Sequence, residues 1–138
     1  MIRSYRDLRV WKAAIDLVEG IYRLGQGFPK YEMFGLTSQM QRAAVSVASN
    51  IAEGHAREHR KEFLHHLSIA QSSLAELETH VEITARLGYS SRMRVDPILE
   101  QSSTLGKQLY ALRNALAKPR KENGSLETKK SNGGSKER

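Results

Sequence analysis

Apolar residues recur at spacings of three and four along four separate stretches of this chain, the pattern of helices that bury one face. No stretch shows the strict alternation of a half-buried strand. The first predicted helix starts after Asp7, a residue able to cap it, and runs to about Gln26. Leu8, Trp11, Ile15, Val18, Tyr22 and Gly25 form one stripe, and Val10, Ala14, Leu17, Ile21 and Leu24 form a second beside it. Two stripes make a face wider than a simple two-helix seam requires. Lys12, Asp16, Glu19 and Arg23 occupy the opposite side as pairs four apart, worth a few tenths of a kcal/mol each.

Gly27-Phe28-Pro29-Lys30 breaks the pattern. A second helix is predicted to begin between Met33 and Ser38, where Ser38-x-x-Gln41 has the spacing of a capping box. Its apolar line is Leu36, Met40, Ala43, Val47 and Ile51, and Gly54 is expected to end or bend it. A long third helix spans about His59 to Leu87. Its seam is Phe63, Leu67, Ala70, Leu74, Leu77, Val81 and Thr84, with Gly88 placed as a C-terminal cap. Asp96-Pro97 reads as the start of the fourth helix, an acceptor followed by proline at the first helical position. Ile98, Leu105, Leu109, Leu112 and Leu116 form its seam, and Pro119 stops it.

The predicted architecture is all-α: an antiparallel up-and-down four-helix bundle over residues 1–118. Residues 119–138 are rich in Gly, Ser, Asn, Lys and Glu and contain a single leucine, too little apolar area to offset the entropy of ordering. A disordered basic tail is expected there. At 138 residues the rest is one domain with room for a core.

Charge and composition narrow the function. The net charge is +7, but from Lys118 onward seven basic residues face three acids, so +4 of it lies on Lys118 and the tail together. The body carries only a mild excess, a weak pointer to anionic partners. The chain has no cysteine, which excludes disulfides and thiolate-bound metal. No apolar run approaches the roughly 20 residues needed to cross a bilayer, and the N-terminus lacks a signal-peptide core. A cytoplasmic protein without a membrane partner is expected.

Catalytic motifs are missing. There is no Gly-x-Ser-x-Gly elbow, and Gly20, Gly25 and Gly27 do not form a phosphate loop. A di-iron bundle needs carboxylates and Glu-x-x-His pairs from four helices, yet only Glu62-x-x-His65 has that spacing. His55 and His59 flank the break after Gly54. No metal, cofactor or enzyme activity is expected.

Two constellations remain. Arg42, Ser46, Asn50 and Glu53 fall on one line of the alanine- and serine-rich second helix, with Ser73, Glu76 and His80 as possible partners on the third. A buried polar network that fixes register within or between subunits is one reading. A ligand pocket is the other, with Arg42 as anion clamp and Glu53 or Glu76 as the titrating group. The second constellation is a basic N-terminal edge: Arg3, Arg6, Arg9 and Lys12, interleaved with Tyr5 and Trp11. Cations for phosphates and aromatics for bases suit single-stranded RNA. The blander reading keeps Trp11 in the core and the cations as solvated charges. Lys118, Arg120 and Lys121 would add phosphate contacts from the tail.

Several short runs resemble a known family. Ser4-Tyr5-Arg6-Asp7-Leu8-x-Val10-Trp11, Phe28-Pro29 and Phe34-Gly35-Leu36-x-x-Gln39 are similar to the bacterial four helix bundle proteins, also called 23S ribosomal RNA intervening sequence proteins. The likeness continues through Arg42-Ala43-Ala44-x-Ser46, Asn50-Ile51-Ala52-Glu53-Gly54, Ser73-Leu74-x-Glu76-Leu77-Glu78 and Leu87-Gly88-Tyr89, covering roughly residues 4–117. His59 stands where the family often has serine, and Ser72 where it often has glycine. The resemblance implies a left-handed bundle that assembles as a homopentamer around a central axis, without enzyme activity. It also implies likeness to the accessory protein of diversity-generating retroelements, a basic pentameric barrel that binds reverse transcriptase and RNA. Five copies would turn a modest basic edge into a belt. A protein–protein adaptor whose charge is incidental is the alternative.

Overall fold

The computed structural model describes residues 3–119. Four helices account for most of them: α1 (Arg9–Gly25), α2 (Leu36–Ala56), α3 (Arg60–Arg86) and α4 (Arg92–Ala117). Each helix packs on its sequence neighbours, α4 returns onto α1, and the two diagonal pairs do not meet. Cross-helix contacts fix the directions. Ser46 pairs with Ser73 and Asn50 with His66, so α2 and α3 run antiparallel. Glu82–Arg92 and Glu78–Ser102 do the same for α3 and α4. Among the described residues no helix is long and apolar enough to cross a membrane. Residues 120–138 of the tail, with Arg120 and Lys121, lie outside the described residues.

One stripe of α1 is core and the other is not. Val10, Ala14, Leu17, Ile21 and Leu24 are buried, whereas Ile15 is 40% and Tyr22 44% exposed. Leu67, Ala70, Leu74, Leu77 and Val81 of α3 meet Met40, Ala43, Val47 and Ile51 of α2 in the same core, with Val95, Leu105 and Leu109 from α4. Each large aliphatic side chain fully buried there stabilises the fold by roughly 1.5–3 kcal/mol before entropy is counted.

Helix boundaries depart from the sequence pattern in four places. Asp7 does not cap α1. Its carboxylate accepts from the Arg3 and Ser4 N–H groups, closing a capping box over a 3-10 turn at Tyr5–Asp7, and Leu8 precedes α1 without a side-chain cap. Those two N–H groups hold the Asp7 carboxyl below its ordinary value. The Ser38 box does not form either. Glu32, in a second 3-10 turn at Lys30–Glu32, reaches forward to the Leu36 N–H at 3.1 Å and serves the start of α2. Gly54 does not end the helix; α2 continues to Ala56. A Cβ there would lie 2.5 Å from the Cβ of His66, so glycine is what lets α3 approach. Finally, α4 starts at Arg92 after Ser91, which leaves Pro97 inside the helix.

Other boundaries follow the pattern. Gly88 takes φ +79°, and the Tyr89 N–H reaches back to the Thr84 carbonyl at 2.9 Å, closing α3 as a left-handed cap. α4 stops at Ala117, just before Pro119.

Candidate functional site

The polar line of α2 faces α3. Ser46 Oγ lies 2.8 Å from Ser73 Oγ, and the Asn50 amide donates to the Ser46 carbonyl at 2.9 Å and to its hydroxyl at 3.1 Å. Asn50 Oδ1 lies 2.9 Å from His66 Nδ1, which in this orientation carries the proton. Glu53 Oε1 stands 3.9 Å from the same nitrogen, an ion pair only when the imidazole is charged. Four helix side chains therefore satisfy one another across a seam whose interior side is buried.

Arg42 is not part of it. Its side chain is exposed and makes no ion pair among the described residues. Glu76 is also exposed, and its neighbour is His80, 3.8 Å away on its own helix. The structure thus joins Ser46, Asn50 and Ser73, leaves Glu53 at the margin, and separates Arg42 and Glu76 from the row. His66 is the member that the sequence pattern did not single out. It stands seven residues before Ser73 and fourteen before His80, a heptad line on α3 that mirrors the polar line of α2.

The N-terminal edge is not one continuous helical row. Arg3 precedes the 3-10 turn, Arg6 lies within it, and Arg9 and Lys12 belong to the first turn of α1. All four are exposed. Trp11 is half-buried at the rim rather than in the core, edge-on to Tyr5 with ring centroids 5.2 Å apart. The Arg6 guanidinium carbon stands 5.6 Å from the Tyr5 ring and 5.8 Å from the Trp11 ring. Cation and aromatics form one small cluster. Lys118 is exposed, and its carbonyl accepts from Arg60 at 3.3 Å.

Beside this cluster runs a shallow groove between α1 and α2. Trp11, Ile15 and Val18 line one wall; Val45, Ala48 and Ala52 line the other. The exposed stripe of α1 thus meets a strip of small residues on α2. Small side chains let another helix approach closely, and exposed aliphatics reward its arrival.

A second polar cluster ties two connections together. Tyr89 donates to Glu32 Oε2 at 2.7 Å, and Tyr31 donates to the Tyr89 oxygen at 3.4 Å. The Tyr89 hydroxyl and the Leu36 N–H hold the Glu32 carboxyl low. Tyr31 and Glu32 together push the Tyr89 hydroxyl up. Phe28 packs on the Tyr89 ring at 5.6 Å. Among the described residues no three His, Asp or Glu side chains are grouped to hold a metal, and Glu62 of the lone Glu-x-x-His pair is bound by Arg57.

The arrangement offers binding chemistry: a cationic aromatic corner, an apolar groove and a self-satisfied polar seam. Comparison with known proteins agrees at the level of fold. A protein of unknown function from the S23 ribosomal protein family of Bacteroides thetaiotaomicron, solved at 1.70 Å, superposes with a TM-score of 0.68. The match covers 75% of this chain and 97% of that one at 23% identity. No curated protein matches the chain. The model of one family does match, over residues 6–111, from the Arg6 corner to the last turns of α4. The chain belongs to the 23S rRNA-intervening sequence protein family.

Proposed function

We propose that this protein is a non-enzymatic, self-associating RNA-binding factor of the cytoplasm, serving a ribonucleoprotein or a reverse transcriptase. The observation that carries the reading is the Arg6–Tyr5–Trp11 cluster with Arg3, Arg9 and Lys12 around it. Guanidinium groups neutralise phosphate, and aromatic rings at the rim can stack on unpaired bases. The family's name, which refers to an insertion in ribosomal RNA, points the same way. One copy offers few cations, and a ring of copies would repeat them. The exposed stripe of Ile15 and Tyr22, with Val45 across the groove, supplies apolar surface for such contacts. Five copies is the number that the family resemblance implies.

Fluorescence-anisotropy titration with single-stranded and structured RNA across salt concentrations tests the reading. Affinity should fall with salt, and replacing Arg3, Arg6, Arg9 and Lys12 by Gln should flatten that dependence. Absence of salt-dependent binding at micromolar protein removes it.

A protein–protein adaptor is the second reading, and the α1–α2 groove favours it. A specific partner, such as a reverse transcriptase, that stays bound after nuclease treatment would support the adaptor over the RNA-binding factor.

A further inference from the structure

Exposed apolar side chains are unevenly distributed over the bundle. The α1–α2 and α3–α4 connections lie at the same end, as the Tyr31–Tyr89 and Phe28–Tyr89 contacts require. That end carries Phe34 at 93% exposure, Met93 at 86%, Tyr31 at 79%, Leu87 at 56% and Met33 at 52%. These are half of the exposed large hydrophobic residues among those described. The N-terminal cluster sits at the other end, with Leu8 and Arg9 against Gln108 and Leu112 of α4.

The loop end is rigidly built. Glu32 accepts from both the Leu36 N–H and the Tyr89 hydroxyl, so one carboxylate fixes α2's first turn and bridges the two connections. A Cβ on Gly35 would lie 2.9 Å from Glu32 Oε1, which shows how closely the carboxylate is folded over the backbone next to Phe34. Phe34 is thus held out into solvent by bonded structure on both sides. Several exposed apolar side chains at one end of a bundle supply the surface from which an interaction site is made.

Charge selects the occupant. The carboxylates next to the two connections are already engaged: Glu32 by Tyr89 and Leu36, Glu82 by Arg86 and Arg92, and Asp96 by Arg92. Lys30 and Arg94 are exposed and have no ion-pair partner among the described residues. Two available cations beside an apolar tip complement a ligand with apolar side chains and flanking acids. Met33, Leu87 and Met93 have no face on which a base would stack, and methionine adapts well to varied peptide side chains. A nucleic acid would use only Tyr31 and Phe34.

We infer that the loop end is a docking site for a short acidic, apolar segment of a partner protein, with Phe34 and Met93 as anchors and Lys30 and Arg94 as charge partners. This site shares no residue with the proposed RNA-binding edge, so each stands or falls alone.

Selection of a random dodecapeptide display library on the full chain tests it. Enriched peptides should combine Asp or Glu with Leu, Phe or Met. A synthetic copy should lose roughly tenfold or more in affinity to the Phe34→Ser/Met93→Ser variant, the loss expected when central anchors are removed. Lys30→Glu/Arg94→Glu should weaken the same peptide and remove its salt dependence. Because all four side chains are exposed, both variants should keep the wild-type melting temperature. Failure to enrich any sequence overturns the proposal, as does enrichment of peptides indifferent to both variants. Two other results also overturn it. A lower light-scattering mass for Phe34→Ser/Met93→Ser would make this end a contact between copies. Loss of RNA binding in that variant would make it a stacking platform.

Discussion

At the scale of single residues, Gly54 and Asn50 have the clearest consequences. Gly54 is needed for space, since a methyl group there meets the backbone-proximal Cβ of His66 rather than a flexible tip. Gly54→Ala should destabilise the fold by about 1–3 kcal/mol in urea denaturation, the usual cost of overpacking a helix contact. An unchanged midpoint would mean that α2 and α3 are not so close. Asn50→Ala should cost about 1–3 kcal/mol by stranding the half-buried groups of Ser46 and His66. A neutral effect would show that water serves the seam equally well. Glu32 contributes differently. Its carboxyl is held below the ordinary value of 4.5, so its stabilisation is full above that pH and is lost as pH falls through the lower folded value. Thermal melts should therefore show wild-type stability declining below about pH 4.5, with a shallower decline in Glu32→Gln. Equal acid slopes would contradict the Tyr89 and Leu36 hydrogen bonds.

Elements were more legible in the sequence than their ends. Four helices follow from apolar spacing alone, because burying one face is what that spacing does. Which stripe of α1 faces inward was not readable, since both are apolar and only the positions of α2 and α4 decide. The cap of α2 was missed because Glu32 acts from a preceding 3-10 turn, outside the four-residue window of a capping box. His66 escaped for a related reason. Its heptad line with Ser73 and His80 is visible in the sequence, but the partner appears only when α2 lies antiparallel beside it. Pro97 gives a sharp test of an element boundary. Inside α4 it deprives the Met93 carbonyl of its usual N–H partner, so Pro97→Ala should raise stability by about 1–3 kcal/mol. A drop in melting temperature would instead mean that the helix begins at Pro97, as its spacing from Asp96 suggests.

On the scale of the whole molecule, the two ends and one flank differ in chemistry. The N-terminal end is cationic and aromatic, the loop end is apolar, and the α1–α2 flank holds an open groove. If copies associate through that flank, light scattering should give a mass well above the 15.6 kDa of one chain. Val45→Arg should reduce it, because a charge desolvated in an apolar contact is costly. A monomeric wild-type chain at high concentration would remove the assembly and, with it, the amplification of the basic edge.

An even number of antiparallel helices brings the first and last described residues to the same end of the bundle, with Leu8 close to Leu112. Anything attached just ahead of Arg3, a fused domain or an immobilising tag, is therefore anchored beside the arginines. A sample tethered there would present Phe34 and Met93 outward and shield the cationic corner, so a biosensor would report peptide docking faithfully while understating RNA binding.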